Sequence, residues 1–95
     1  MDVMWSDEFC PLSRLEMRGQ QTAFVAWRDG KLYFCLRANS DETRCDDSAI
    51  EVADLFEAPP EDTQILESAC AERLYILSGD RTWCSYTKGR HWEEM

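Results

Sequence analysis

The chain is poor in the residue types that most enzymes and nucleic-acid-binding proteins need. Its 95 residues include one histidine, His91, and ten lysines and arginines against nineteen aspartates and glutamates. Proteins that bind phosphate groups cluster lysine and arginine, so direct nucleic-acid binding is disfavoured. A single histidine leaves little for general acid–base catalysis at neutral pH. We therefore expect a binding protein and not an enzyme.

Motifs that indicate cofactors, metals or membranes are also missing. The sequence contains no Walker loop, no G-x-G-x-x-G stretch and no G-x-S-x-G nucleophile motif. The five cysteines form no C-x-x-C pair, and the acids around Cys45 lack the register of a calcium loop. No apolar run approaches the roughly 18 residues of a membrane span. We expect no cofactor, no metal and no membrane partner.

Length and composition indicate one small acidic domain over residues 1–95. Hydrophobic residues make up 44% of the chain, including four tryptophans, which is enough to offset the entropy lost on ordering. The first eight residues lack the basic and apolar regions of a secretory signal. Scattered cysteines in odd number are typical of small buried side chains in a reducing compartment, with a disulfide pair or a reactive thiol as alternatives. We expect a cytoplasmic protein.

The negative charge is concentrated in the middle of the chain. Residues 38–72 hold eleven acids and a single base, Arg44, whereas residues 1–37 are balanced and residues 73–95 have a net charge of +1. Charge of one sign in one segment opposes folding by self-repulsion, and a basic partner relieves it. A solvated acidic surface is the alternative. The candidate partner-binding residues are the acids expected in loops or near helix ends: Asp41, Glu42, Asp46, Asp47, Asp54, Glu57, Glu61 and Asp62.

Two segments, 22–37 and 73–86, are predicted to be β-hairpins. In each, aromatic and branched residues flank a turn, Asp29-Gly30 in the first and Gly79-Asp80 in the second. Leu15-Glu16-Met17 alternates in polarity and predicts a further strand before the first hairpin.

Between the hairpins the spacing predicts helices at about 48–57 and 60–71. Ser48 and Glu51 have the form of a capping box, and apolar residues from Ile65 onward recur on one helical stripe. A strand is the alternative for 64–70, because the run is short. The predicted fold class is therefore α+β, an antiparallel sheet from two hairpins with one or two helices in the central acidic segment.

The stretch from Ser85 to Trp92 resembles the Asp-box, or BNR, hairpin of sialidase-like β-propellers. The family pattern is S-x-D-x-G-x-x-W; Ser85, Gly89 and Trp92 match it, and Thr87 stands in the aspartate position. The similar tracts that begin at Lys31 and Arg73 lie one blade length apart. The resemblance implies β-hairpins and no sialidase activity, since Asp-boxes in that family lie away from the active site.

Three functions compete on this evidence. The first is an acidic inhibitor, of an immunity or anti-defence type, that docks on a basic, nucleic-acid-handling protein and possesses the charge of a nucleic-acid mimic. The second is a structural module that oligomerises through the edges of its β-hairpins. The third is a small thiol enzyme using Cys84 and His91, which lack an evident third group to orient them. The charge pattern favours the first, and the sequence leaves the oligomeric state open.

Overall fold

The computed structural model describes residues 5–40, 44–54, 56–69 and 73–95, and these ranges hold eight β-strands and one short 3-10 helix, Cys45–Ser48. In chain order the strands are β1 (Cys10–Met17), β2 (Gln21–Arg28), β3 (Lys31–Ala38), β4 (Ile50–Ala53), β5 (Thr63–Glu67), β6 (Leu74–Ser78), β7 (Arg81–Ser85) and β8 (Glu93–Glu94). Within the described ranges, no helix combines the length and apolarity that crossing a bilayer requires.

The strands form two four-stranded antiparallel sheets, each arranged in chain order. Sheet A is β1-β2-β3-β4 and sheet B is β5-β6-β7-β8. Both predicted hairpins are confirmed, because β2 pairs with β3 across Asp29-Gly30 and β6 pairs with β7 across Gly79-Asp80. The alternating segment Leu15-Glu16-Met17 belongs to β1, which pairs with β2.

The α+β prediction is wrong, because the central acidic segment forms strands where helices were expected. In place of a helix at 48–57, the 3-10 helix ends at Ser48 and β4 pairs with β3. Ser48 Oγ lies 3.3 Å from the Cys35 sulfur, and Glu51 pairs with Lys31 Nζ at 3.1 Å, so the two residues form no capping box. A strand beside β3 pairs the backbone groups that β3 otherwise leaves open at its edge.

The second predicted helix, at 60–71, is replaced by β5. Burial alternates along this strand, with Thr63 and Ile65 buried and Leu66 46% exposed. β5 forms a complete antiparallel ladder with β6, and this pairing between distant residues outweighs the local helical spacing. Residues 70 and 71 of the predicted range lie outside the described residues.

The two sheets pack face to face, and their facing side chains form the main core. We call these the inner faces. Sheet A contributes Val25, Leu32 and Phe34, which are fully buried, and sheet B contributes Ile76 and Trp83. Removal of this apolar surface from water is the main stabilising contribution to the fold.

The outer face of sheet A, which points away from sheet B, is covered by another part of the same chain. Trp5 and Phe9 are 2% and 5% exposed, and their ring centroids lie 4.7 Å apart against this face. The 3-10 helix adds Cys45, which packs beside Cys35. We call residues 5–9 and 44–49 the cover layer.

Candidate functional site

One end of the molecule brings three connections together, and we call it the turn end. It holds the β2–β3 turn, the β6–β7 turn and the β4–β5 connection, described at 54 and 56–62, which crosses from sheet A to sheet B. The Phe56 N–H donates to the Gly30 carbonyl at 3.0 Å, and the Gly79 N–H donates to the Asp62 carbonyl at 3.4 Å. Both hairpin turns are therefore tied to the same connection.

Phe56 anchors the connection through its backbone and its ring. The Trp27 indole N–H donates to the Phe56 carbonyl at 3.2 Å. The Phe56 ring centroid lies 5.8 Å from that of Trp83, and the Arg81 guanidinium lies 4.8 Å from each of these two rings. The half-buried Phe56 side chain thus holds the connection in place. The carboxylates of the connection take no part in that packing.

The turn end gathers acids from separate parts of the sequence. Asp54, Glu57, Glu61 and Asp62 are exposed along the connection. Asp29 and Asp80 are exposed in the two hairpin turns. We call the six carboxylates the turn-end acids: Asp29, Asp54, Glu57, Glu61, Asp62 and Asp80. Like charges in one place on the surface create a negative potential that attracts a basic partner.

Three of the turn-end acids border a shallow groove. Its volume is about 320 Å³, and its lining residues are Asp29, Gly30, Lys31, Asp54, Phe56 and Glu57. The groove is open to solvent and combines three carboxylates and one aromatic ring with Lys31, whose ammonium group pairs with Glu51. Its chemistry suits an extended basic side chain from a partner more than an anionic or wholly apolar group.

The bases at the turn end are mostly engaged by other acids. Lys31 pairs with Glu51 at 3.1 Å, and Arg81 makes two hydrogen bonds to Glu94, at 2.9 and 3.0 Å. Arg28 lies 3.6 Å from Glu8 and 4.0 Å from Asp29.

Most of the turn-end acids therefore form no ion pair with a described residue. Among the ion pairs between described residues, none includes the carboxylates of the following five: Asp54, Glu57, Glu61, Asp62 and Asp80. Their field therefore extends into solvent, where a basic partner meets it.

The pKa values of the basic groups reflect this acidic surrounding. The hydrogen bond that Lys31 donates to Glu51 raises the pKa of Lys31, and the charge of Asp54 adds a smaller contribution in the same direction. The hydrogen bonds that Arg81 donates to Glu94 raise the pKa of Arg81, with smaller contributions from the charges of Asp54 and Asp80. Both bases therefore stay charged at neutral pH.

Two further predicted site residues, Asp46 and Asp47, do not lie with the turn-end acids. Asp46 and Asp47 belong to the 3-10 helix in the cover layer, on the outer face of sheet A. Asp46 is half-buried, and its Oδ1 accepts a hydrogen bond from the Ser6 N–H at 3.1 Å, which is a structural role. Asp41 and Glu42 lie outside the described residues. The predicted acidic site is thus split between the turn end and the cover layer.

Sequence reasoning missed two members of the site, Asp29 and Asp80. Both were placed correctly in hairpin turns, but they belong to segments whose charges nearly balance. A charge count along the sequence does not report that two turns and a distant connection share one end of the fold. The two hairpin turns were visible in the sequence, but only the packing of the two sheets brings them to the same end of the molecule.

The candidate thiol–imidazole pair has other partners. Cys84 is 2% exposed, and its hydrogen bond with the Tyr86 hydroxyl raises the pKa of that tyrosine. His91 is exposed; its Nε2 lies 3.7 Å from Glu93 Oε1, and its backbone N–H donates to Thr87 Oγ1 at 2.8 Å.

The other cysteines are consistent with the interpretation of small buried side chains. Cys35 and Cys45 are free and fully buried, and Cys10 is half-buried. The hydrogen bond between Cys35 and Cys45, together with burial, raises the pKa of the Cys45 thiol. Cys70 lies outside the described residues. In the part of the chain that the structure describes, no three His, Cys, Asp or Glu side chains are grouped to hold a metal ion.

The three positions that match the Asp-box pattern, together with Thr87 in the aspartate position, form one hydrogen-bonded turn between β7 and β8. Ser85 Oγ accepts from the Gly89 N–H at 2.8 Å, and Thr87 Oγ1 accepts from the His91 N–H at 2.8 Å. The Trp92 indole N–H donates to the Gly89 carbonyl at 2.8 Å. Thr87 thus supplies the acceptor at the position where the family pattern has aspartate.

Comparison of the chain with protein-family models, with curated proteins and with solved structures gives no match.

Proposed function

We propose that this chain is a non-catalytic inhibitor or binding protein that docks on a basic, nucleic-acid-handling protein through the turn-end acids. One observation carries the proposal: the β4–β5 connection brings four exposed carboxylates to the end that also bears Asp29 and Asp80. The backbone and Phe56 hold the connection in place, so these carboxylates are free for an external partner.

Electrostatics explains what such a surface contributes to binding. Complementary charge mainly raises the association rate and the specificity for basic partners, and it contributes less to affinity. A groove that binds a nucleic-acid backbone in the partner presents clustered lysine and arginine, and carboxylates on a rigid β scaffold compete for the same groups. The proposal therefore includes mimicry of nucleic-acid phosphate.

We place this function in the cytoplasm. Three described thiols, those of Cys35, Cys45 and Cys84, are reduced and buried, which is the usual state in a reducing compartment. Two sheets of identical strand order, and the turn at 85–92, also support the proposal of two blade-like units. The similar tracts that begin at Lys31 and Arg73 do not mark the repeat, because they form the third strand of sheet A and the second strand of sheet B. That scaffold positions the turn-end acids and implies no enzymatic activity.

Affinity capture tests the proposal. The chain is immobilised and exposed to an extract of its source cells from which nucleic acid has been removed enzymatically. We expect a retained protein of basic charge that is released by salt and by duplex DNA or single-stranded RNA added as competitor. Release by an uncharged detergent with no response to salt or to nucleic acid would contradict the proposal.

A further inference from the structure

The outer face of sheet B differs from every other sheet face in the described molecule, because no other described segment packs on it. Cys84 is buried there beside Tyr86 of its own sheet, with which it shares a hydrogen bond. The inner faces cover each other, and the cover layer lies on the outer face of sheet A. Among the described residues, the large apolar side chains with the greatest exposure are Leu66 at 46%, Tyr86 at 60% and Met95 at 76%. The pairing register places Leu66 on the outer face of sheet B with Tyr75 and Cys84. Tyr86 shares a hydrogen bond with Cys84, and the Met95 N–H donates to the Thr82 carbonyl at 2.8 Å, so these two residues continue the same face.

The pairing register shows that this face is equivalent to one that sheet A buries. The β2–β3 turn closes at the pair Arg28 and Lys31, and the β6–β7 turn closes at Ser78 and Arg81. Counting back from these pairs aligns the two hairpins residue by residue.

In that alignment, Tyr75 and Cys84 of sheet B correspond to Val25 and Phe34 of sheet A. Val25 and Phe34 are fully buried against sheet B, whereas Tyr75 is half-exposed on the uncovered face. The equivalent face in sheet A packs against another sheet, and such packing is what the uncovered face of sheet B lacks.

We propose that the outer face of sheet B binds the same face of a second copy of this chain, giving a two-fold dimer in which two sheets pack face to face. A head-to-tail arrangement requires the outer face of sheet A, which the cover layer already occupies. A second copy therefore offers one uncovered face, and a surface that pairs with itself produces a closed two-fold interface.

The charge distribution favours the antiparallel orientation of the two copies. The outer face of sheet B bears one base, Arg73, and one acid, Glu93, in a chain of net charge −9. Arg73 lies at the end of the face remote from the turn end, with its guanidinium 5.1 Å from the Tyr86 ring centroid. Antiparallel packing moves Arg73 of each copy toward the turn-end acids of the other and separates the two acidic ends.

The size of the face predicts a weak dimer. Strands β5, β6 and β7 are five residues long and β8 is two residues long, so at a spacing of about 4.8 Å they cover roughly 280 Å² in projection. This is well below the roughly 800 Å² per partner of a standard interface, so the dimer is weak and reversible. The turn-end acids lie at the margin of the face, so Arg73 of the second copy approaches them without covering them. The test below measures self-association in the absence of the basic partner, so its outcome does not depend on the proposed function.

Sedimentation velocity on the full chain, from low micromolar to millimolar concentration, tests the dimer. The test variant is Leu66→Lys with Tyr86→Lys, and the control variant is Ser40→Lys with Ala58→Lys, which adds the same charge at exposed positions off the face. We expect wild type and control to shift from monomer to dimer, at high as well as low salt. The test variant should weaken dimerisation at least about ten-fold.

Thermal melts verify that each variant is folded, and Tyr86→Ser replaces the double variant if that one unfolds. A monomer at every concentration would overturn the proposal, as would a trimer or larger species, which indicates head-to-tail stacking. Equal dimerisation of the test variant and wild type would also overturn it, because the contact would then lie elsewhere, for example at a hairpin edge.

Discussion

Two connections of this molecule use their polar side chains in opposite ways. In the β7–β8 turn, residues 86–92, the polar groups bond to one another, and Gly89 and Trp92 are buried. In the β4–β5 connection the backbone and Phe56 make the internal contacts, and the carboxylates face solvent. A polar side chain with no internal partner is available for recognition, and one that satisfies the backbone of its own turn is committed to stability.

The sharpest test of this contrast is Gly89→Ala in the β7–β8 turn. Gly89 has φ +91°, and an added Cβ would lie 2.7 Å from Cδ2 of the buried Phe34 ring. Left-handed strain and overpacking together should lower the free energy of unfolding by about 2–5 kcal/mol. Chemical denaturation measures the loss.

Gly19→Ala is the matched control for that substitution. Gly19 also has positive φ, +77°, but an added Cβ there meets nothing within 4 Å. It should cost about 1 kcal/mol, the backbone contribution alone. Equal losses in the two variants would mean that the turn does not pack on sheet A as described.

Thr87→Ala should have the next largest effect, because it removes the acceptor for the His91 N–H. The expected loss of stability is about 0.5–2 kcal/mol, comparable to the loss of a helix cap. Thr87→Asp keeps an acceptor in place and should stay near wild type in the same denaturation experiment. If both variants lose the same stability, the hydroxyl does not brace the turn.

The ion pair between Arg81 and Glu94 predicts that the stability of the fold depends slightly on pH. The hydrogen bond from Arg81 lowers the pKa of Glu94. A carboxyl whose folded-state pKa is lowered stabilises the fold above its unfolded-state pKa and loses that contribution as the pH falls through the folded-state value. The melting temperature of Glu94→Gln should be slightly below wild type at neutral pH and should converge with it in acid. A difference that grows on acidification would contradict this assignment.

Neutralising the four carboxylates of the β4–β5 connection should have the smallest effect on the free energy of unfolding. The turn-end variant carries Asp54→Asn, Glu57→Gln, Glu61→Gln and Asp62→Asn. None of these side chains has an ion-pair partner among the described residues, and neutralisation relieves like-charge repulsion. The free energy of unfolding should stay within about 0.5 kcal/mol of wild type or rise slightly. A large loss would mean that these acids stabilise the fold.

Local sequence signals predicted the hairpins but misassigned the segment between them. Asp29-Gly30 and Gly79-Asp80 are turn sequences flanked by strand-forming residues, so neighbouring residues determine those elements. Ser48 and Glu51 match a capping box by spacing, yet their side chains bond to Cys35 and Lys31, which lie far away in sequence. Pairing with a strand far away in the sequence decides the conformation of the central segment. The spacing of residues within a short window carries no information about that pairing.

The acidic character of the candidate site was predictable from the sequence, but the location of its residues in the fold was only partly predictable. The excess of acids at 38–72 correctly pointed to Asp54, Glu57, Glu61 and Asp62 as exposed carboxylates. The same count grouped them with Asp46 and Asp47, which the fold places in the cover layer. It also left out Asp29 and Asp80, because only the stacking of the two hairpins brings those turns together.

The role of the turn-end acids is tested most directly by comparing how two variants of equal net charge bind the basic partner. The turn-end variant is measured beside a control with Glu16→Gln, Asp46→Asn, Asp47→Asn and Glu67→Gln, which removes four acids elsewhere. Association with the captured basic partner should be at least about ten-fold slower for the turn-end variant at low salt, and that difference should shrink as salt is added. The control should associate within about three-fold of wild type. Equal slowing of both variants would show that net charge, and not the turn end, recruits the partner, and would contradict the assignment of the site.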